Sequence, residues 1–156
     1  MELREATVQD VDTVVDLVTA MLHEMVAHGG RALNHEERVR VQLSARFMDT
    51  LKKEDHVYHV VVAEGREEPV GIVEASLVST HDVFRPRSVV HIHALYVQPL
   101  HRGEGIGRRL LEEALTWGRE RGSTEATLSV LAGNPARKLY ESLGFEVFEM
   151  EMSLKW

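Results

Sequence analysis

The sequence predicts an α/β (α+β) fold: a mixed, mostly antiparallel sheet flanked by helices, in the order β-α-α-β-β-β-α-β-α-β. Several short runs alternate apolar and polar residues with the period of a strand, and longer runs repeat apolar residues with the period of a helix. A glycine-rich turn joins one run of each kind. At 156 residues, the chain has the length of one domain. We therefore expect a single domain over residues 1–156.

The composition limits the possible functions. The net charge is −7, with 25 acidic and 18 basic residues, which argues against nucleic acid as the main partner and favours cationic partners. The sequence contains no cysteine, which excludes disulfides, a cysteine nucleophile and thiolate metal sites. No apolar run reaches the ~18 residues of a membrane span, and the N-terminus, with Glu2 and Glu5, is unlike a signal peptide. We expect a cytoplasmic protein without membrane contact.

The first third of the chain predicts one strand and two helices. Residues 2–6 form the strand, and residues 7–10 read as a capping box that starts the first helix. Residues 28–30 end this helix, and Asn34 with Glu37 caps the second. The apolar faces of the two helices are Val8, Val11, Val14, Val15, Val18, Met21, Leu22 and Met25, and then Val39, Leu43, Phe47 and Leu51.

Three strands are expected next, over residues 57–63, 70–78 and 89–97, with a polar loop over residues 80–88. Their short connections predict antiparallel neighbours. A helix with an apolar face follows and ends near Gly122, then a strand over 124–131 and a helix from Asn134 to Gly144. The strand–helix–strand unit predicts one parallel pair. The last strand alternates apolar Phe148, Met150, Met152 and Leu154 with polar residues. The helix that ends near Gly122 has an apolar face made of Ile106, Leu110, Leu111, Ala114, Leu115 and Gly118.

The strand-to-helix turn at residues 97–111 carries the clearest chemical signal. Pro99 breaks the strand, and glycines then occupy every second position from 103 to 107. Free N–H groups of the first helical turn and the helix dipole attract an anion, and glycines let a diphosphate approach the backbone. Arg102, Arg108 and Arg109 add positive charge in an otherwise acidic chain. The alternative is a tight turn that needs its glycines only for packing.

Two phosphate-binding motifs are excluded by spacing. The dinucleotide motif GxGxxG requires glycine where this chain has Arg108 or Leu110, and the P-loop requires Lys and then Ser or Thr after its last glycine. The remaining pattern is Arg-x-x-Gly-x-Gly after a strand that ends in Leu-Tyr-Val-x-Pro. This pattern resembles the acetyl-CoA-binding motif of the GNAT superfamily of N-acetyltransferases.

A second stretch strengthens the resemblance. The sequence Asn-Pro-Ala-Arg-Lys-Leu-Tyr-Glu-Ser-Leu-Gly-Phe at residues 134–145 is similar to the closing signature of the GNAT family, and the predicted element order is similar to the GNAT fold over the whole chain. One spacing differs. Many members have Asn seven residues before the Tyr, whereas here Gly133 holds that place and Asn134 lies six before Tyr140.

The resemblance implies transfer of an acetyl group from acetyl-CoA to an amine, by direct attack in a ternary complex because no cysteine can form an acyl-enzyme. It implies that Tyr140 is the general acid that protonates the leaving thiolate; the alternative is a core tyrosine. The implied acetyl-CoA contacts are Leu95, Tyr96 and Val97 for the pantetheine arm and thioester, Arg102, Gly103, Glu104, Gly105, Ile106, Gly107 and Arg108 for the diphosphate, and also Asn134 and Tyr140.

The amine arrives protonated near neutral pH, so the reaction needs a base with a suitable pKa. His91 and His93 are two residues apart on one predicted strand and are expected on one face, and Glu74 on the preceding strand is the other candidate. Each has a purely structural alternative. Two histidines on one face also suit a metal, but no third ligand is close in the sequence, and we expect no metal.

The acceptor is less defined. Acidic Glu24, Glu36, Glu37 and Glu74 suit a small cationic amine. Residues 23–37 and the loop 80–88 are expected either to line the acceptor pocket or to be solvated connections. A protein or peptide amine is the alternative substrate, and a non-catalytic acyl-CoA sensor is the alternative function. A homodimer is possible through sheet edges or the methionine-rich last strand.

Overall fold

The computed structural model describes residues 1–80, 83, 88–154 and 156, and its centre is a five-stranded sheet. The spatial order of the strands is the chain order, and the first three pairings are antiparallel. β4 and β5 pair in parallel across the helix that connects them, which confirms the predicted mixed sheet. The strands are β1 (Glu2–Glu5), β2 (His56–Val62), β3 (Pro69–Ser79), β4 (Ser88–Val97) and β5 (Ala126–Leu128).

Helices cover both faces of this sheet. α1 (Val11–Ala27) and α2 (Glu36–Thr50) pack on one face around Leu17, Phe47 and Ile72. α3 (Ile106–Glu120) packs on the other face, where Leu110 and Leu111 are fully buried. α4 (Arg137–Ser142) is short and follows β5. No helix in the described part of the chain is long and apolar enough to cross a bilayer.

The predicted helix starts have different outcomes. The capping box at Thr7 is confirmed: the Thr7 N–H donates to Asp10 Oδ2 at 2.7 Å, and a short 3-10 turn leads into α1. Asn34 was predicted to cap the second helix, and this is wrong. The residue before α2 is His35, and no side chain caps that end. The acidic Glu36 and Glu37 in the first turn favour this helix start instead, through the helix dipole.

The predicted last strand is also wrong, because none of the described residues after α4 lies in a strand. The alternating pattern reports an amphipathic segment, but a strand also needs a backbone partner. Here Phe148 and Met152 are 87% and 93% exposed. β5 is shorter than the predicted 124–131. Of the predicted loop 80–88, residues 81, 82 and 84–87 lie outside the described residues, as does residue 155 of the last strand.

Two irregularities of β4 shape the site. Its pairing with β3 shifts between Glu74, opposite Ala94, and Ala75, opposite Ile92, so His93 is the extra residue of a β-bulge. The parallel pairing with β5 then ends at Ile92 and Leu128. Beyond that point, no described strand pairs with β4 on this side, and its backbone edge at residues 95–97 is open.

Candidate active site

A cavity of about 640 Å³ lies where the open edge of β4 meets the glycine turn, between α1, the chain after β5, and α4. Every residue that the sequence predicted to contact acetyl-CoA lines it, except Glu104. The lining residues from that prediction are Leu95, Tyr96, Val97, Arg102, Gly103, Gly105, Ile106, Gly107, Arg108, Asn134 and Tyr140. Among the predicted bases, His93 lines this cavity, whereas Glu74 and His91 do not.

The glycine turn has the geometry of an anion cradle. Gly103 and Gly105 have φ angles of +84° and +79°, which side chains rarely adopt, and a Cβ at either position meets no atom within 4 Å. The first helical bond of α3 runs from the Arg109 N–H to the Gly105 carbonyl at 3.0 Å. The N–H groups just before it therefore have no helical acceptor and are available to a ligand.

Two arginines of the motif are held by the protein. The Arg102 Nη2 donates to both carboxylate oxygens of Glu24 on α1, at 2.7 and 3.0 Å, and its Nε donates to the Val97 carbonyl at 2.9 Å. Tyr96 donates its hydroxyl to the same Glu24 and lies beneath the guanidinium, whose Cζ is 5.3 Å from the ring centre. Arg108 donates to Ser142 on α4. The positive charge at Arg102 is therefore already paired across the mouth of the cavity.

The predicted acid, Tyr140, is half-buried at the cavity wall, with its ring 6.1 Å from that of Phe145. Burial raises the pKa of its phenol, so the hydroxyl keeps its proton at neutral pH. Asn134 stands in the turn that precedes α4, where its Oδ1 accepts from the Ala136 N–H at 2.9 Å. Its side chain thus has a local structural role and lines the cavity as well.

A polar cluster lies beside the bulge. Glu74 is 5% exposed, and its Oε1 accepts from Arg46 and pairs with His56 Nε2 at 3.0 Å. Burial alone favours the neutral acid, but the hydrogen bond from His56 and the charge of Arg46 hold the pKa of Glu74 below its usual value. This carboxylate is therefore an anion that Arg46 and His56 already occupy.

The two histidines of β4 are in edge-to-face contact, with ring centres 4.8 Å apart, and each has its own hydroxyl partner. His91 Nδ1 lies 2.9 Å from Thr127 Oγ1, and His93 Nε2 lies 2.7 Å from Ser76 Oγ. Partial loss of water contact lowers the pKa of the half-buried His91. It lowers the pKa of His93, which stays partly exposed at the bulge, to about 4, although the nearby Glu74 raises it. Both rings are therefore neutral at pH 7.

Sequence reasoning missed three members of this cluster: Arg46, His56 and Ser76. Ser76 could have been predicted from the sequence, because it lies two residues after Glu74 in an otherwise apolar strand and is therefore on the same face. His56 required the strand register, which places it opposite Ser76, and its ring stacks 5.6 Å from that of His93. Arg46 comes from α2 and required the packing of that helix on the sheet. Its sequence context carries no such signal.

Comparison with known proteins agrees with this geometry. The Acetyltransferase (GNAT) family pattern matches residues 18–145. N-alpha-acetyltransferase 40 of Saccharomyces cerevisiae is 41% identical over 86 residues, which are 50% of this chain and 29% of the yeast protein. The chain spans 29% to 56% of the length of three curated relatives that it matches.

Solved structures are similar over the whole chain. A mutant of the BH1408 protein from Bacillus halodurans is 30% identical, with a TM-score of 0.84, and the match covers 100% of this chain and 99% of that one. The aminoglycoside N-acetyltransferase AAC(6')-Iy, solved in complex with CoA, has a TM-score of 0.78 at 18% identity, over 99% of this chain and 93% of that one. The second likeness concerns the fold alone.

Proposed function

Because this chain belongs to the GNAT acetyltransferase family, we propose that it transfers an acetyl group from acetyl-CoA to a primary amine. One observation carries the proposal. A single cavity joins an anion cradle at the glycine turn, an open strand edge at residues 95–97, a half-buried tyrosine and a neutral histidine. These are the groups needed to hold a diphosphate, an extended pantetheine arm and a reacting thioester.

In this proposal, the cofactor's diphosphate binds the free N–H groups around Gly105, and Arg102 and Arg108 border it. The pantetheine arm lies along the open edge of β4 as an added strand, hydrogen-bonded to the backbone of residues 95–97. A backbone N–H of the same stretch stabilises the oxyanion that forms at the thioester carbonyl. Asn134 and Tyr140 border the far side of the arm.

His93 is the base that the geometry favours among the three candidates. It alone of them lines the cavity, while Glu74 is occupied by Arg46 and His56. The amine binds as its ammonium ion, His93 takes one proton from it, and the freed nitrogen then attacks the thioester carbon. In the tautomer whose Nε2–H donates to Ser76 Oγ, the Nδ1 of His93 carries no hydrogen and takes this proton. The carbon–sulfur bond then breaks, Tyr140 gives its proton to the CoA thiolate, and its phenolate regains a proton from the nitrogen of the product.

The acceptor in this proposal is a small cationic amine. The net charge of −7 supports it. Glu36 and Glu37, at the start of α2, are exposed but do not line the cavity. Glu24 and Glu74, which the sequence also suggested for this role, are already paired with arginines. A peptide amine is the second candidate, favoured by the 41% identity to a yeast N-alpha-acetyltransferase.

The test combines thermal unfolding with a thiol-release assay. Acetyl-CoA at 100 times its Kd stabilises a protein by about 2.7 kcal/mol, and we expect the matching rise in Tm. Thiol release is then measured with polyamines, aminoglycosides and short peptides. Turnover with one amine class supports the enzyme and identifies its acceptor. A Tm rise without turnover on any amine favours an acyl-CoA sensor, and no rise at all contradicts a cofactor site.

A further inference from the structure

The ion pair between Arg102 and Glu24 is a feature of the cavity mouth that the proposed function does not use. Both side chains are partly exposed, Arg102 at 46% and Glu24 at 39%. The Arg102 Nη2 donates to both carboxylate oxygens of Glu24, and the Tyr96 hydroxyl donates to the same carboxylate. The acidic side chain at the mouth of the cavity is therefore neutralised by an arginine of the protein itself.

Arg102 also occupies part of the open edge of β4. Its Nε donates to the Val97 carbonyl at 2.9 Å. The following residue, Gln98, donates its N–H to the Val70 carbonyl on β3. Because successive residues of a strand direct their backbone groups to opposite sides, the Val97 carbonyl points away from β3, toward the open edge. Arg102 in this position therefore competes with the proposed pantetheine arm for a hydrogen-bond acceptor.

A diphosphate at the glycine turn would give Arg102 a second partner. The turn begins at the next residue, Gly103, so the guanidinium and the proposed cofactor site are adjacent. A diphosphate carries more negative charge than one carboxylate, and the guanidinium fork binds phosphate oxygens with two donors at once. The exchange of partners costs a partly exposed ion pair, which contributes little to stability.

We propose that acetyl-CoA, on binding, draws Arg102 from Glu24 to its diphosphate, and that the freed Glu24 then binds a second positive charge of the amine acceptor. The inference rests on the proposed function, because it needs both the cofactor and a cationic acceptor. Binding is ordered, with the cofactor first and the acceptor second. The acceptor is an aliphatic amine that carries a further ammonium group.

The surroundings of Glu24 fit an aliphatic chain that ends in a charge. Met21 and Met25 on α1 line the cavity beside Glu24 and offer adaptable apolar surface to methylene groups. Tyr96, whose hydroxyl contacts Glu24, lies three residues after His93 on β4, which is about 10 Å at the rise of a strand. The proposed base and the proposed anchor for the second charge are therefore separated by the length of a short aliphatic chain.

The first test measures CoA binding by isothermal titration, which needs no turnover. Glu24→Gln removes the charge that holds Arg102, and we expect CoA to bind about two-fold to five-fold more tightly, the range of a surface ion pair. Asp16→Asn is the matched control, because Asp16 on the same helix pairs with Arg40 at 2.6 Å but does not line the cavity. We expect this variant to bind CoA as the parent does.

A double-variant cycle shows whether the gain acts through Arg102. In an Arg102→Gln background, the tighter CoA binding caused by Glu24→Gln should disappear. Far-UV spectra and Tm values will show that each variant folds. Unchanged or weaker CoA binding in Glu24→Gln, or a gain of the same size without Arg102, would overturn the proposal.

The second test titrates spermidine, an aliphatic polyamine, with and without saturating CoA, and subtracts the heat of spermidine added to CoA alone. We expect the parent to bind spermidine only when CoA is present. Glu24→Gln should then bind it about ten-fold or more weakly, since a hydrogen bond to a charged group contributes about that much. Butylamine, which has a single nitrogen, should bind both proteins equally.

The outcomes separate this inference from the proposed acetyl transfer. Spermidine binding that is independent of CoA or of Glu24, in a parent that binds CoA, overturns the inference and leaves acetyl transfer standing. The expected binding results without thiol release from acetyl-CoA on any amine support the exchange of partners and contradict acetyl transfer. A parent that binds no CoA overturns both.

Discussion

Replacing Gly105 by Asp tests the cofactor site most directly, with Gly105→Asn as its matched control. The two side chains have nearly the same shape, and Asn tolerates the left-handed backbone that Gly105 adopts at φ +79°. Any cost of backbone strain or of filling space is therefore common to both variants. The difference between them isolates one negative charge at the N-terminus of α3.

The structure sets the size of that difference. A Cβ at Gly105 meets no atom within 4 Å, so the new side chain extends into the open cradle where a diphosphate is proposed to bind. Two charges about 4 Å apart repel by about 1 kcal/mol in bulk water and about 4 kcal/mol near a protein surface. Since 1.4 kcal/mol is a factor of ten, the Asp variant should bind CoA about five-fold to a thousand-fold more weakly than the Asn variant.

The assay is isothermal titration of CoA into the parent and both variants at two salt concentrations. We expect the gap between Asp and Asn to narrow at higher salt, because screening weakens a charge effect. Far-UV spectra and Tm values will show whether both variants are folded. Equal Kd values for Asp and Asn would refute the proposed placement of the diphosphate at this turn, whatever activity the parent protein shows.

Three further predictions concern single side chains. Tyr140→Phe should lower kcat about 100-fold or more at unchanged KM for acetyl-CoA, as removal of a general acid does; an unchanged kcat would make the tyrosine structural. His93→Gln should lower kcat far more than His91→Gln does. The kcat/KM of the parent protein should stay level as pH falls through 6.5, because partial loss of water contact lowers the pKa of His93 to about 4. Equal losses in the two variants, or a fall in kcat/KM below pH 6.5, would exclude His93 as the base. Burial also lowers the pKa of His59, so below pH 6.5 the unfolded chain binds a proton at this residue that the folded chain does not. The free energy of unfolding, measured in urea, should therefore fall as pH decreases below 6.5, with His59 contributing up to about 1.4 kcal/mol per pH unit. His59→Leu should reduce this slope without removing it, because His91 and His93, whose pKa values are also lowered, contribute slopes of the same sign. An unchanged slope would assign all of it to groups other than His59.

Much of the fold and of the candidate cavity followed from local sequence. The glycines at 103 and 105, the proline at 99 and the apolar face of α3 each act within a few residues, through backbone freedom and helical period. Such local rules predicted a strand, a turn and a helix in the right order, with the glycine turn at the helix start. They also predicted one parallel pair of strands, because two neighbouring strands joined by a crossover helix run in the same direction.

Local rules failed where a feature depends on a partner distant in sequence. The alternation after residue 147 predicted a strand, but alternation measures amphipathicity and cannot supply the neighbouring strand. From the sequence, Glu24 was interpreted as a free acidic residue suited to a cationic amine. Only the packing of α1 against the glycine turn shows its ion pair with Arg102. The extra residue of the bulge at His93 likewise depends on the register between β3 and β4.

The sequence by itself determined the element order as far as α4 and the glycine turn at the start of α3, because the period of apolar residues and the conformational freedom of glycine are properties of neighbouring residues. Only the tertiary structure decided which of three candidate bases reaches the cavity. That choice depends on the side chains that surround each one: Arg46 and His56 occupy Glu74, Thr127 holds His91, and His93 is left facing the cavity. Those partners come from α2, β2 and β5, and they meet only when the helices pack and the strands pair.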